Sequence, residues 1–142
     1  MIVRYMAIDY GTVRIGVAIS DPLGVVARGL ETIKVKKHDP QAAVERIVEL
    51  VKTYEVGTVI VGLPRRTDNK VGESETKARE LAVALEARVE IPVIMQDERF
   101  TSVIANRILR DSTVKARDKR SVVDQVAAEV ILRDYLEKIR RG

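Results

Sequence analysis

The segment IVRYMAID at residues 2–9, the turn Tyr10-Gly11-Thr12-Val13 and the segment RIGVAIS at 14–20 decide the architecture of this 142-residue chain. Two apolar runs of strand length around a short turn predict a hairpin. Beyond it, Asp21-Pro22-Leu23-Gly24 is a turn signal, and a third strand follows over Ala27–Val35. Asp39-Pro40 reads as a helix start, with Asp39 as N-cap and proline at the first helical position. Val44, Ile47, Val48 and Val51 then recur at helical spacing to about Tyr54. Thr58–Leu63 is a continuous apolar run, as expected of a strand covered on both faces.

Pro64–Gly72 is a polar loop with two arginines, and Glu73–Arg88 an alanine- and leucine-rich helix. Pro92–Gln96 forms the last strand, delivering Asp97 and Glu98 at its end. Ser102–Arg110 reads as a short helix, Asp111–Arg120 as a polar basic loop and Ser121–Arg140 as a long final helix. Three strands followed by alternating helices and strands predict an α/β fold: an antiparallel meander, then right-handed crossovers, in a five-stranded mixed sheet with helices on both faces. With no repeat and no long linker, residues 1–142 read as a single domain.

Composition limits the chemistry. At 46% hydrophobic and 32% charged, the chain can build a packed interior. It contains no cysteine, which excludes disulfides, thiolate metal sites and thiol nucleophiles and leaves oxygen ligands. The apolar stretch at the start is too short for a signal peptide, and no run reaches membrane-spanning length, so a cytoplasmic enzyme without membrane contact is expected. The net charge is only +4, but Arg107, Arg110, Lys115, Arg117, Lys119 and Arg120 crowd one region. Such a strip suits a polyanion, although an isolated charge run is more often a solvated face. The sole histidine, His38, reads as a solvated loop residue.

Three acids, Asp9, Glu98 and Asp124, sit where backbone elements begin or end. A parallel sheet gathers such positions at the carboxyl ends of its strands, and converged carboxylates bind hard cations such as Mg²⁺ or Mn²⁺. Paired ions of this kind support in-line hydrolysis of a phosphodiester, with Asp9 the natural bridge between two of them. Each acid also has a plainer role. Asp9 suits a tight turn, and Glu98 suits a surface salt bridge, with Arg99 beside it as a phosphate contact. Adjacent Asp97 and Glu98 point to opposite sides of an extended strand, and Glu98 is the stronger choice. Ser121 fits an N-cap, which places Asp124 in the reciprocal position of a capping box and near the helix dipole. The stripe Val123, Val126, Ala127, Val130, Ile131 leaves Asp124 about a quarter-turn off its centre. Cap and ligand readings both stay open for this residue.

Taken together, Asp9-Tyr10-Gly11-Thr12 with Arg14-Ile15-Gly16-Val17-Ala18, Ile60-Val61-Gly62-Leu63-Pro64, Thr76-Lys77-Ala78-Arg79, Asp97-Glu98-Arg99 with Thr101-Ser102, and Val123-Asp124-Gln125-Val126-Ala127-Ala128 with Ile131-Leu132 resemble the YqgF/RuvX family. The match runs nearly end to end. The resemblance implies a ribonuclease H-like fold, acidic residues at Asp9, Glu98 and Asp124, and a nuclease linked to the 5′ end of pre-16S ribosomal RNA or, alternatively, to Holliday junctions. A resolvase acting symmetrically on a junction would be a homodimer. Family members often carry Asn-x-Asp-Gly after Gly-Leu-Pro, whereas this chain has Arg66-Thr67-Asp68-Asn69, so substrate contacts are not carried over to that loop.

Two rivals follow from the same residues. Asp9-Tyr10-Gly11-Thr12 also looks like the first phosphate loop of actin-like ATPases, but those clamp nucleotide between two such domains. A non-catalytic nucleic-acid binder fits the basic strip, from which Lys115, Arg117, Lys119 and Arg120 are expected to reach phosphates. Four tyrosines, one phenylalanine and no tryptophan leave few platforms for stacking bases.

Overall fold

Strand β1 (Arg4–Tyr10) pairs antiparallel with β2 (Arg14–Ser20), setting Asp9 opposite Gly16. The hairpin thus forms where the two apolar runs predict it. The computed structural model of the chain describes residues 4–64, 72–98 and 116–141. The turn after β2 is closed by Asp21, whose Oδ1 accepts from the backbone N–H groups of Val25 (2.7 Å) and Val26 (2.8 Å). Backbone hydrogen bonds of this kind hold its carboxyl below the usual aspartate range. Gly24 takes the left-handed conformation, φ 69°, that the turn requires.

Next come β3 (Ala27–Lys34), α1 (Gln41–Thr53), β4 (Val56–Pro64), α2 (Glu73–Glu86), β5 (Val93–Glu98) and α3 (Ala116–Arg141). The strand order is β3-β2-β1-β4-β5, with the first three antiparallel and β4 and β5 parallel to β1. This is the mixed α/β sheet predicted from the order of elements.

Strand alternation builds two unlike cores. On one face Met6, Ile8, Ile15, Val17, Val59 and Val61 pack against α1 and α2 through Ile47, Val48, Leu81 and Leu85. On the other, α3 lies over β1, β2 and β3 with Ala128, Ile131, Leu132 and Leu136 against Ala7, Ala18, Ala27 and Ile60. The sheet residues under α3 are mostly small, so its backbone can come close.

Four sequence expectations are corrected. Helix α1 begins one residue late: Pro40 is its N-cap and makes no side-chain cap bond. Asp39 instead closes a small turn, donating its N–H to the Lys36 carbonyl and accepting from Ala42 through its own. Strand β5 runs on to Glu98, so Asp97 and Glu98 lie within it. The final helix begins at Ala116, not Ser121, which makes residues 116–120 helical rather than loop. Asp124 is therefore eight residues inside the helix, about two turns in, and both the capping-box and the dipole readings fall. Ala116, Arg117, Lys119 and Arg120 are all good helix formers, a local preference that the reading of this stretch as a charged loop passed over. The expected short helix over 102–110 lies outside the described residues.

Candidate active site

One row of register partners crosses the sheet: Thr32, Gly16, Asp9, Gly62 and Gln96, one from each strand. Partners in a row present their side chains to the same face. Four of the five identify that face as the one under α3. Gln125 Nε2 donates to Thr32 Oγ1 (3.2 Å) and Gln96 Nε2 to the Ile131 carbonyl (3.0 Å). A methyl group at Gly16 would overlap the Asp124 carbonyl oxygen, and one at Gly62 would overlap Ile131 Cδ1. Asp9, half-buried in the middle of the row, therefore faces α3 between two glycines.

The same contacts fix Asp124. Its backbone rests on Gly16, directly beside Asp9 in the ladder. Its Oδ2 accepts from Arg14 Nε at 2.8 Å, with Arg14 31% and Asp124 17% exposed. Among the described residues of α3, Ala127, Ala128, Ile131, Leu132 and Leu136 are buried, while Val123, Val126 and Val130 are only half-buried. Asp124 accordingly lies about 35° from the centre of the sheet-facing stripe, at 100° per residue, and not a quarter-turn away. The difference arises because the small-residue face of the sheet selects the alanine side of the helix.

At the end of β5, the backbone places position 98 in register with Pro64 and on the same strand parity as Gln96. Position 97 has the opposite parity and is paired with Leu63, a member of the α1/α2 core. The side chain of Glu98 lies outside the described residues, as do Arg99 and Lys115. Arg117, Lys119 and Arg120 lie at the start of α3, with side chains that are likewise not described. Among the described residues, no group of three or more histidine or acidic side chains could hold a metal ion. Two of the three expected ligands are in that set.

Arg14, Gly16 and Gly62 were not singled out individually as site residues by sequence reasoning. A signal existed for the glycines, because glycine inside an apolar strand marks a close approach of another backbone. None existed for Arg14, whose partner is 110 residues away.

A mixed sheet in the order β3-β2-β1-β4-β5, with acids at the carboxyl end of β1 and on the helix laid across it, defines a ribonuclease H-like protein. The RuvX family model, described as a Holliday junction resolvase, matches residues 3–138, and the chain belongs to this nuclease family. A protein of Listeria monocytogenes named "Putative pre-16S rRNA nuclease" is 42% identical over 134 residues, covering 94% of this chain and 97% of the relative. One of the same name from Acetivibrio thermocellus is 47% identical over 135 residues, covering 94% and 95%. Among solved structures, T. thermophilus RuvC in complex with Holliday junction substrate superposes with a TM-score of 0.59 at 15% identity, covering 96% of each chain. Among the described residues, no helix is long and apolar enough to cross a membrane.

Proposed function

We propose that the chain is a divalent-metal-dependent nuclease that trims the 5′ end of pre-16S ribosomal RNA in the cytoplasm, with residues 1–142 as its catalytic domain. The observation that carries this reading is the seating of Asp124 on Gly16, beside Asp9 and on the face Asp9 presents. Two carboxylates brought to one face of the sheet concentrate negative charge that a bound cation would offset. Their hard oxygen donors suit Mg²⁺ or Mn²⁺, and Glu98 would complete the set. Bound there, such ions supply charge neutralisation and an acidified water for attack on phosphorus.

The chain's own residues prepare the site. Gly16 and Gly62 let α3 close on the sheet, and Gln96 pins the helix at Ile131. Arg14 holds the Asp124 carboxylate and balances its charge. Arg99, Lys115, Arg117, Lys119 and Arg120 are proposed to meet backbone phosphates, which position a substrate without reading its sequence.

Cleavage of a four-way DNA junction by a homodimer is the second reading, favoured by the description of the family model. The deciding experiment incubates the purified protein with Mg²⁺ or Mn²⁺ and either a pre-16S rRNA fragment or a four-way junction. Asp9→Asn, Glu98→Gln and Asp124→Asn should each lower turnover by about two orders of magnitude or more. Junction cutting without RNA cutting would select the second reading. Undiminished cleavage by all three variants would refute the site.

A further inference from the structure

On the opposite face of the sheet, between the β1–β2 hairpin, α1 and α2, lies a cavity of about 520 Å³. Ile15, Val44 and Leu81, all buried, give it an apolar floor, and Tyr10 forms one wall. Its rim carries three lysines, Lys36, Lys37 and Lys77, and two glutamates, Glu73 and Glu80. The volume is in the range of small-molecule sites. An apolar floor beside an aromatic ring suits the face of a planar heterocycle. Lysines suit phosphate, and carboxylates suit amino or hydroxyl donors. The other described tyrosines are engaged elsewhere: Tyr5 packs on Tyr135, and Tyr54 lies beneath Arg4.

Position points to the occupant. Tyr10 directly follows Asp9 on β1, so the two side chains point to opposite faces from Cα atoms only about 3.8 Å apart. A strand with its reacting phosphate at Asp9 can turn over the end of β1 and set a neighbouring nucleotide against Tyr10. We propose that this cavity is a subsite for one unpaired nucleotide of the substrate, its base stacked on Tyr10 over the apolar floor and its phosphate held by the rim lysines. The proposal rests on the nuclease reading, and it adds a requirement that reading lacks: a base stacked on Tyr10 inside the cavity has left its partner strand, so the nucleotide beside the cut must be unpaired.

The test is titration of the full chain with adenosine 5′-monophosphate, followed by amide NMR shifts, alongside cleavage kinetics. Shifts should concentrate on Thr12, Lys37, Gln41 and Lys77. Ala84→Trp, which fills the cavity from a partly buried position on α2, and Lys77→Glu should each weaken nucleotide binding and raise KM for cleavage about tenfold. Asp9→Asn should abolish turnover and leave nucleotide binding intact. Shifts away from the cavity, or binding and KM unmoved by either cavity variant, would overturn the subsite. A wild-type chain that binds the nucleotide in the cavity yet cuts no nucleic acid would fault the nuclease reading instead and leave the nucleotide site standing.

Discussion

Arg14 Nε donates to Asp124 Oδ2 at 2.8 Å, tying the first residue of β2 to the interior of α3. Because Gly16, two residues along β2, receives the backbone of the same aspartate, Arg14 acts on a carboxylate whose main chain is already fixed. Arg14 is thus a positioning residue for Asp124. Arg14→Gln leaves a partly buried carboxylate without its partner and should lower unfolding free energy by about 1.5–3 kcal/mol. Saturating Mg²⁺ should restore part of that loss. Cleavage should fall about 10- to 100-fold, with Arg14→Lys intermediate because it keeps the charge and loses the Nε–H donor. Thermal melts with chelator and with Mg²⁺ check this, and an Arg14→Gln, Asp124→Asn double-mutant cycle with no coupling energy would refute it.

The two glycines beside Asp9 should respond unequally to alanine. At Gly16 the added methyl meets the backbone of α3, which cannot move without displacing Asp124. At Gly62 it meets the tip of Ile131, which can rotate away. Gly16→Ala should cost about 3 kcal/mol and abolish cleavage, and Gly62→Ala about 1 kcal/mol with cleavage largely kept. Urea unfolding and single-turnover assays measure both. Equal costs would mean that α3 is not seated on β2 at Gly16.

Replacing Arg117, Lys119 and Arg120 together by alanine should weaken nucleic-acid binding across all sequences. The slope of log affinity against log salt should flatten by about one for each phosphate that is no longer neutralised. An unchanged slope would remove these residues from the interface.

An acid-sensitive tie joins β3 to α1. Arg46 Nε and Nη2 reach both carboxylate oxygens of Glu31 at 2.8 and 2.7 Å. The Arg46 hydrogen bonds hold the Glu31 carboxyl below its ordinary value of 4.5. A carboxyl lowered on folding adds stability above its unfolded value and loses it as pH falls through the folded one. Arg46→Ala should therefore lower the melting temperature at neutral pH by the equivalent of about 1 kcal/mol or less. The gap from wild type should close as pH drops below the ordinary glutamate range. A gap constant with pH would show that only the packing of the Arg46 stem is at stake.

Much of the fold was legible locally. The hairpin, the turn at Asp21–Gly24 and the apolar run of β4 depend on period-two patterning and turn chemistry, which act over a few residues. Strand alternation allows only one of Asp97 and Glu98 to face the site, and the register of β5 against β4 gives the two positions opposite parity. The helix ends were less legible. Asp39 carries a good cap side chain but is held in a small turn by Lys36, and the start of α3 left no cap signal at Ala116.

By itself, the sequence determined the α/β element order and the absence of thiol chemistry, and it singled out the three acids proposed as cation ligands. Only the tertiary structure decided that Asp124 belongs to the sheet-facing side of α3. That outcome depends on Gly16, Ala7, Ala18 and Gly62 forming one smooth face, and on Arg14 reaching across 110 residues. A local pattern records which side of a helix is apolar. It does not record how closely a particular surface will let that helix approach.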